Sequence, residues 1–245
     1  MLDEDEKILQ WYQIQDIKEL ISDDRTKEAN NLEEIEETKS MFVEEVTDHP
    51  AEHCKDLEQL RDSVEKFDKC LLKKMATKTV FSDGNPNADV MLIGEAPGAN
   101  EDVQGVPFCG ESGKLLDQIF STIGMSREKN LYITNSVFWR PPGNRKPTDE
   151  EIKICLPFVE KHISLVKPKL IIAVGAISLY ALLNYTGAIS KKRGQIFEYN
   201  NKYLDEPIKA MTIFHPAYLL RQPSQKKTAW QDMLLIKKIL GDVSA

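Results

Sequence analysis

The stretch VMLIGEAPGANEDVQGVPFCGESGKLL, residues 90–116, sets the reading of the whole chain. Its first four residues, Val90, Met91, Leu92 and Ile93, form a short apolar run typical of a buried strand. Gly94-Glu95-Ala96-Pro97-Gly98 follows, too rich in glycine and proline to extend a strand or a helix. The acidic pair Glu101-Asp102 precedes Pro107-Phe108-Cys109-Gly110, and Ser112 starts a helix. Ligands of open parallel sheets sit beyond the carboxyl ends of the strands, so a carboxylate at Glu95 is placed for chemistry. Read alone, Glu95 is better explained as a turn cap.

Outward from this unit the same alternation recurs. Leu131-Tyr132-Ile133-Thr134 reads as a strand ending at Asn135, and Leu170–Val174 as another ending at Gly175, with a helix from Ala176 to Leu183. A last strand, Ala210–Phe214, runs into His215, and a helix around Thr228–Leu240 closes the domain. Thr148-Asp149-Glu150-Glu151 matches a capping box and predicts a helix start. Strands alternating with helices imply a mostly parallel sheet covered on both faces, a three-layer α/β/α sandwich over about 75–245. Before it, Leu57, Leu60, Val64, Phe67 and Leu71 predict a helix over about 55–72. Residues 7–22 have helical apolar spacing, and 23–53 are too charged to build a core. The division expected is an acidic N-terminal extension, 1–53, partly helical or disordered, and a catalytic-type domain, 54–245.

Charge separates the two parts. The 245 residues carry a net charge of −7. Residues 1–50 hold 16 acidic and 5 basic side chains, a net of −11, which leaves the rest at +4. A mildly basic body behind an acidic arm keeps nucleic acid open as a partner, and the arm itself reads as a solvated linker or as a surface for a protein partner. The start, Met1-Leu2-Asp3-Glu4-Asp5-Glu6, lacks the basic and apolar regions of a signal peptide. The longest apolar run, Leu170–Leu183, is interrupted by Gly175 and Ser178 and is too short to cross a bilayer. Cys54, Cys70, Cys109 and Cys155 show no close pairing. The expectation is a monomeric cytoplasmic protein without membrane attachment.

Glu95, Asn135 and His215 each stand just after a strand, so all three face one crevice. Singly each has a plain structural explanation. Together, with Phe108 as a stacking face and basic residues nearby, they point to a pocket. Gly110-Glu111-Ser112-Gly113-Lys114-Leu115 suggests a phosphate-binding loop superficially, but lacks its spacing and final hydroxyl.

These motifs, together with Ile133-Thr134-Asn135, Arg140-Pro141-Pro142-Gly143-Asn144-Arg145 and His215-Pro216-Ala217-Tyr218-Leu219-Leu220-Arg221, resemble family 4 uracil-DNA glycosylases from about Phe67 to the C-terminus. The resemblance implies hydrolysis of the N-glycosidic bond of uracil in flipped-out DNA. It assigns Glu95 to the sugar and water, His215 to uracil O2, Asn135 to O4 and N3–H, and Phe108 to stacking. Gly94 and Ala96 would line the base site, and Glu101 would crowd the uracil C5 edge. Leu219 or Leu220 would fill the gap in the duplex, with Arg140, Arg145, Arg193, Arg221, Lys226 and Lys227 as phosphate contacts. The alternative is a non-catalytic DNA-binding protein that keeps the fold.

The chain departs from the family in places. Glu111 stands where a basic residue is common, and Lys191-Lys192-Arg193-Gly194 lacks the histidine of the branch that crosslinks to uracil-containing DNA. Family 4 members usually hold a [4Fe–4S] cluster on four cysteines. Cys70 and Cys155 occupy two of those positions, and Phe67 and Trp139 the others, so the expectation is a protein without metal or other cofactor. The arm offers no pocket chemistry and its charge repels DNA. Deleting residues 1–53 should leave base excision intact, or raise DNA affinity at low salt where repulsion is least screened; a salt titration of binding checks this.

Overall fold

A computed structural model describes residues 49–243. The predicted helix at 7–22 and nearly all of the acidic linker lie outside the described residues. Six strands form one sheet: β1 (Asp83–Gly84), β2 (Val90–Gly94), β3 (Leu131–Asn135), β4 (Leu170–Val174), β5 (Phe197–Tyr199) and β6 (Ile208–Ile213). Their order is β1-β3-β2-β4-β6-β5. The four inner strands are parallel, and the short edge strands β1 and β5 are antiparallel to their neighbours. This is the expected mostly parallel α/β/α sandwich. The two edge strands were not expected, because Asp83-Gly84 and Phe197-Glu198-Tyr199 are too short to show a period.

Among the described residues, eight α-helices surround the sheet: α1 (Leu57–Lys66), α2 (Leu71–Met75), α3 (Ala99–Gln104), α4 (Glu111–Ser121), α5 (Asp149–Val166), α6 (Ala176–Leu183), α7 (Pro216–Arg221) and α8 (Lys226–Val243). The period-2 alternation of strand side chains assigns the layers. Met91 and Ile93 of β2 join a buried cluster with Leu60 and Val64 of α1 and Phe158 and Ile163 of α5. Val90 and Leu92 point the other way, into a cluster with Leu116 and Phe120 of α4 and Met233, Ile236 and Ile239 of α8. The capping box at α5 is formed as read: Glu151 N donates to Thr148 Oγ1 (3.2 Å), and Thr148 N to the Glu151 carboxylate (2.8 Å). Among the described residues no helix is long and apolar enough to cross a membrane.

The helix expected over 55–72 is broken. α1 ends at Lys66, Phe67 and Cys70 are extended with a bend at Lys69 between them, and α2 begins at Leu71. The break turns Phe67 and Cys70 into the core, where the Phe67 ring meets Phe158 edge-on at 5.0 Å. Residues 49–53 pack on the domain. His49 lies 4.5 Å from the Phe158 ring, Ala51 is buried, and Glu52 pairs with Lys202. A truncation that tests the arm therefore ends before His49.

His162 of α5 is fully buried, stacked on Phe81 at 4.5 Å and 2.7 Å from the Tyr132 hydroxyl. Burial first, and the Arg61 charge second, hold its pKa down at about 3. The native state therefore refuses a proton that the unfolded chain accepts below about pH 6.5. Stability is lost as pH falls from there toward about 3, by up to about 1.4 kcal/mol per pH unit for this one group. His162→Phe should be less stable than the parent at pH 7, but with a shallower fall toward pH 4 in urea-melt midpoints.

Candidate active site

The site is built where β2, β3 and β6 end. Gly94 is the register partner of Asn135, so Glu95 is the first residue beyond the ladder. Ser136 pins this end, its N–H (2.8 Å) and hydroxyl (2.9 Å) both donating to the Gly94 carbonyl. A Cβ on Gly94 would overlap both the Asn135 side-chain oxygen and the Phe108 ring, so only glycine lets both reach their positions. At the end of β4, Gly175 adopts φ +100°, and a Cβ there would come within 3.1 Å of the His215 Cβ. His215 thus packs against bare backbone as β6 passes into α7.

Phe108, Asn135 and His215 line a cleft of about 460 Å³ with Ala96, Gly98, Ala99, Asn100, Glu101, Gly110, Glu111, Ser112 and Leu220; Gly94 and Glu95 precede the lining residue Ala96 but do not line the cleft themselves. Asn135 is 1% exposed, and its Nδ2 has no hydrogen-bond partner among the described residues. Phe108 is buried, with φ +52°, and its ring lies 5.7 Å from that of His215 at 31°. Glu101 accepts from Gly110 N at 2.9 Å and so ties α3 to the start of α4. Asp102, its neighbour, turns away and is buried, accepting from Thr77 N (2.7 Å) and the Thr77 hydroxyl (3.0 Å). The acidic pair thus splits between cleft and scaffold.

Two titratable groups are pushed in opposite directions. Burial, helped by the Arg221 charge and opposed by Glu101, lowers the His215 pKa to about 4. Its Nδ1 accepts the Ala217 N–H at 3.1 Å, so the neutral ring carries its proton on Nε2. Burial raises the Glu95 carboxyl above its usual range, with Lys146 pulling the other way.

The other residues singled out from sequence divide. Leu220 lines the cleft and is 42% exposed, whereas Leu219 is buried in a cluster with Phe214 and Ala229. Arg193 is drawn inward, its guanidinium on the buried Asp232 at 2.7 Å and on the Thr228 carbonyl at 2.9 Å. It anchors its loop to α8 instead of facing solvent. Arg145 is engaged with both oxygens of Glu151. Arg140 donates to Asn144 at 2.8 Å, while Arg221 is exposed near His215. Sequence reading missed Asn100 and Ser112 as lining residues and Lys146 as a charge acting on Glu95. Gly110, a helix N-cap without a side-chain cap, was the available signal for Ser112.

Phe67, Cys70, Trp139 and Cys155 are all buried in one cluster, and the thiols of Cys70 and Cys155 are close enough to shift each other's pKa, Cys70 down and Cys155 up. Trp139 Nε1 donates to Thr79 at 3.0 Å. The side chains present supply two thiols where a cubane needs four, and Phe67 and Trp139 offer no lone pair. Among the described residues no group of three or more His, Cys, Asp or Glu is arranged for a metal ion.

Residues 81–234 match the family described as the uracil DNA glycosylase superfamily. A type-4 uracil-DNA glycosylase of Pyrobaculum aerophilum is 37% identical over 182 residues, 74% of this chain and 92% of that protein. One from Saccharolobus solfataricus is 38% identical over 190 residues, 76% and 87% of the two chains. A type-5 uracil-DNA glycosylase of Thermus thermophilus is 35% identical over 118 residues, 42% and 53%. The kinship with type 4 corrects one expectation. Members of that family hold an iron–sulfur cluster, so a chain without any cofactor conflicts with its relatives, and that expectation is withdrawn.

Proposed function

This chain belongs to the uracil DNA glycosylase superfamily, and on that premise we propose that it hydrolyses the N-glycosidic bond of uracil in DNA, releasing free uracil and leaving an abasic site. The observation that carries the reading is the Asn135 amide, buried at the cleft with an unpaired N–H. Such a group costs about 1–3 kcal/mol when left unsatisfied. A carbonyl oxygen entering the cleft would satisfy it, as uracil O4 does. Cytosine presents an amino group at that position, so both donors would stay unpaired, a mismatch that discriminates strongly.

Breaking the bond leaves positive charge on the sugar and negative charge on the base. His215 meets the second requirement. Its neutral ring, with Nδ1 occupied by the Ala217 N–H, has Nε2–H free to donate to uracil O2 as charge builds there. Glu95 meets the first: its carboxylate stabilises the oxocarbenium-like sugar and takes the proton of the water that adds to it. Uracil leaves as an anion through N1 and is protonated from solvent. Phe108 stacks on the flipped base, Glu101 borders its C5 edge, and Leu220 fills the gap in the duplex. Arg221 is the phosphate contact this reading favours, since Arg140, Arg145 and Arg193 each have a carboxylate of their own.

Incubation with a uracil-containing oligonucleotide, followed by alkaline cleavage at abasic sites on a gel, tests the activity. A folded protein that leaves the strand intact, single- or double-stranded, would sink it. His215→Ala and Asn135→Ala should each slow single-turnover excision by about 10²–10³-fold, the usual loss for one donor to a developing anion. Glu95→Ala should slow the same step while DNA affinity stays near the parent's. If all three variants excise at the parent rate, the assigned roles are wrong.

The pH profile follows from the two shifts. His215 stays neutral down to about pH 4, so the rate should show no break near 6.5. The acid limb should instead follow Glu95, setting in above the usual carboxylate range and vanishing in Glu95→Gln. A break near 6.5 that disappears in His215→Asn would overturn the neutral-imidazole assignment.

A further inference from the structure

Phe108 holds an unusual conformation. It is a bulky residue at φ +52°, in the left-handed region that side chains avoid at a cost of order 1–3 kcal/mol. Something must fix it. Its carbonyl is turned away from the cleft, where two features hold it. Arg127 Nη2 donates to the Phe108 carbonyl at 2.6 Å, and Nη1 to the Pro107 carbonyl at 2.8 Å. Gly113 leaves room on the other side, since a Cβ there would fall inside the Phe108 carbonyl group.

The guanidinium is itself fixed. Nε donates to Asp117 of α4 at 2.9 Å and Nη1 to Asp83 of β1 at 2.8 Å, and the side chain is 14% exposed. A planar fork with donors on three nitrogens can bind two carboxylates and two adjacent carbonyls at once; an ammonium cannot. Arg127 does not line the cleft. It reaches the site only through the backbone of Pro107 and Phe108.

We propose that Arg127 is a positioning residue for base excision: by gripping two successive carbonyls it holds Phe108 left-handed, and so sets the plane on which the flipped base stacks. The inference rests on the proposed uracil excision, so the parent enzyme's activity is established first. Arg127 then acts through the Phe108 ring and through nothing else in the cleft. Removing the ring removes the reason for the grip.

A double-mutant cycle in single-turnover excision tests this. Arg127→Met is expected to slow excision by about 10–100-fold, the scale of loss from misplacing a reacting partner by about an ångström. Arg127→Lys keeps the charge on Asp83 and Asp117 but lacks the fork. It should melt close to the parent and still lose about tenfold. In the Phe108→Ala background neither substitution should slow excision further. An active parent whose Arg127→Lys variant excises at the parent rate would overturn the proposal. So would Arg127 losses that multiply with that of Phe108→Ala, since Arg127 would then act on the fold at large. If Arg127→Met does not fold, the Arg127→Lys cycle alone decides between these results.

Discussion

A missing side chain governs the site. At Gly94 the β2 strand ends against Asn135 in register, and nothing but backbone separates them. That bareness lets the Asn135 amide and the Phe108 ring occupy the same corner, one at the edge of the pocket and one at its face. Ser136 completes the corner by holding the Gly94 carbonyl with two donors, so the ends of two strands act as one rigid piece. A pocket on such a piece presents its polar groups already oriented. The unpaired amide is then an unmet demand that a ligand can answer, not a mobile side chain that finds water.

Desolvation does double work in the same place. It lowers the His215 pKa, so the ring is neutral, and raises that of Glu95, so the carboxyl is more basic than one in water. Charge near each group trims the effect: Arg221 strengthens the shift at His215, while Lys146 weakens that at Glu95. The opposition between the two groups, more than either shift alone, distinguishes this cleft from a buried structural pair such as Tyr132–His162.

Much of this was legible in the sequence because parallel strands are apolar throughout and end abruptly. Val90–Ile93, Leu131–Thr134 and Ala210–Phe214 declared themselves by that run, and Glu95, Asn135 and His215 just after them became site candidates. What escaped had no periodic signal. β1 and β5 are pairings of two and three residues, fixed only by the sheet edge they meet. The interruption at Phe67–Cys70 was hidden because the apolar spacing of 57–71 suits a helix, and only packing on Phe158 and Cys155 breaks it. Arg193 and Asp232 are far apart in sequence, so their ion pair could not be foreseen, and a basic run looked like a DNA contact. Arg127 was overlooked for the reverse reason: its partners are mostly backbone carbonyls and distant carboxylates, which leave no pattern of residue types.

Leu219 and Leu220 show how one short helix settles a choice that composition leaves open. Both sit in α7, yet consecutive helical residues point about 100° apart, so only one can face the cleft when the other enters the core. Phe214 and Ala229 take Leu219, which leaves Leu220 at the mouth. The same helix begins with the Ala217 N–H that fixes the His215 tautomer. The imidazole, at the N-cap, and the apolar tip at the entrance therefore belong to one short element, the six-residue helix and its cap. Pro216 at its first turn and buried Leu219 on its inner face hold that element in place. Leu220 at the cleft mouth and the N–H that orients the imidazole therefore share a single support.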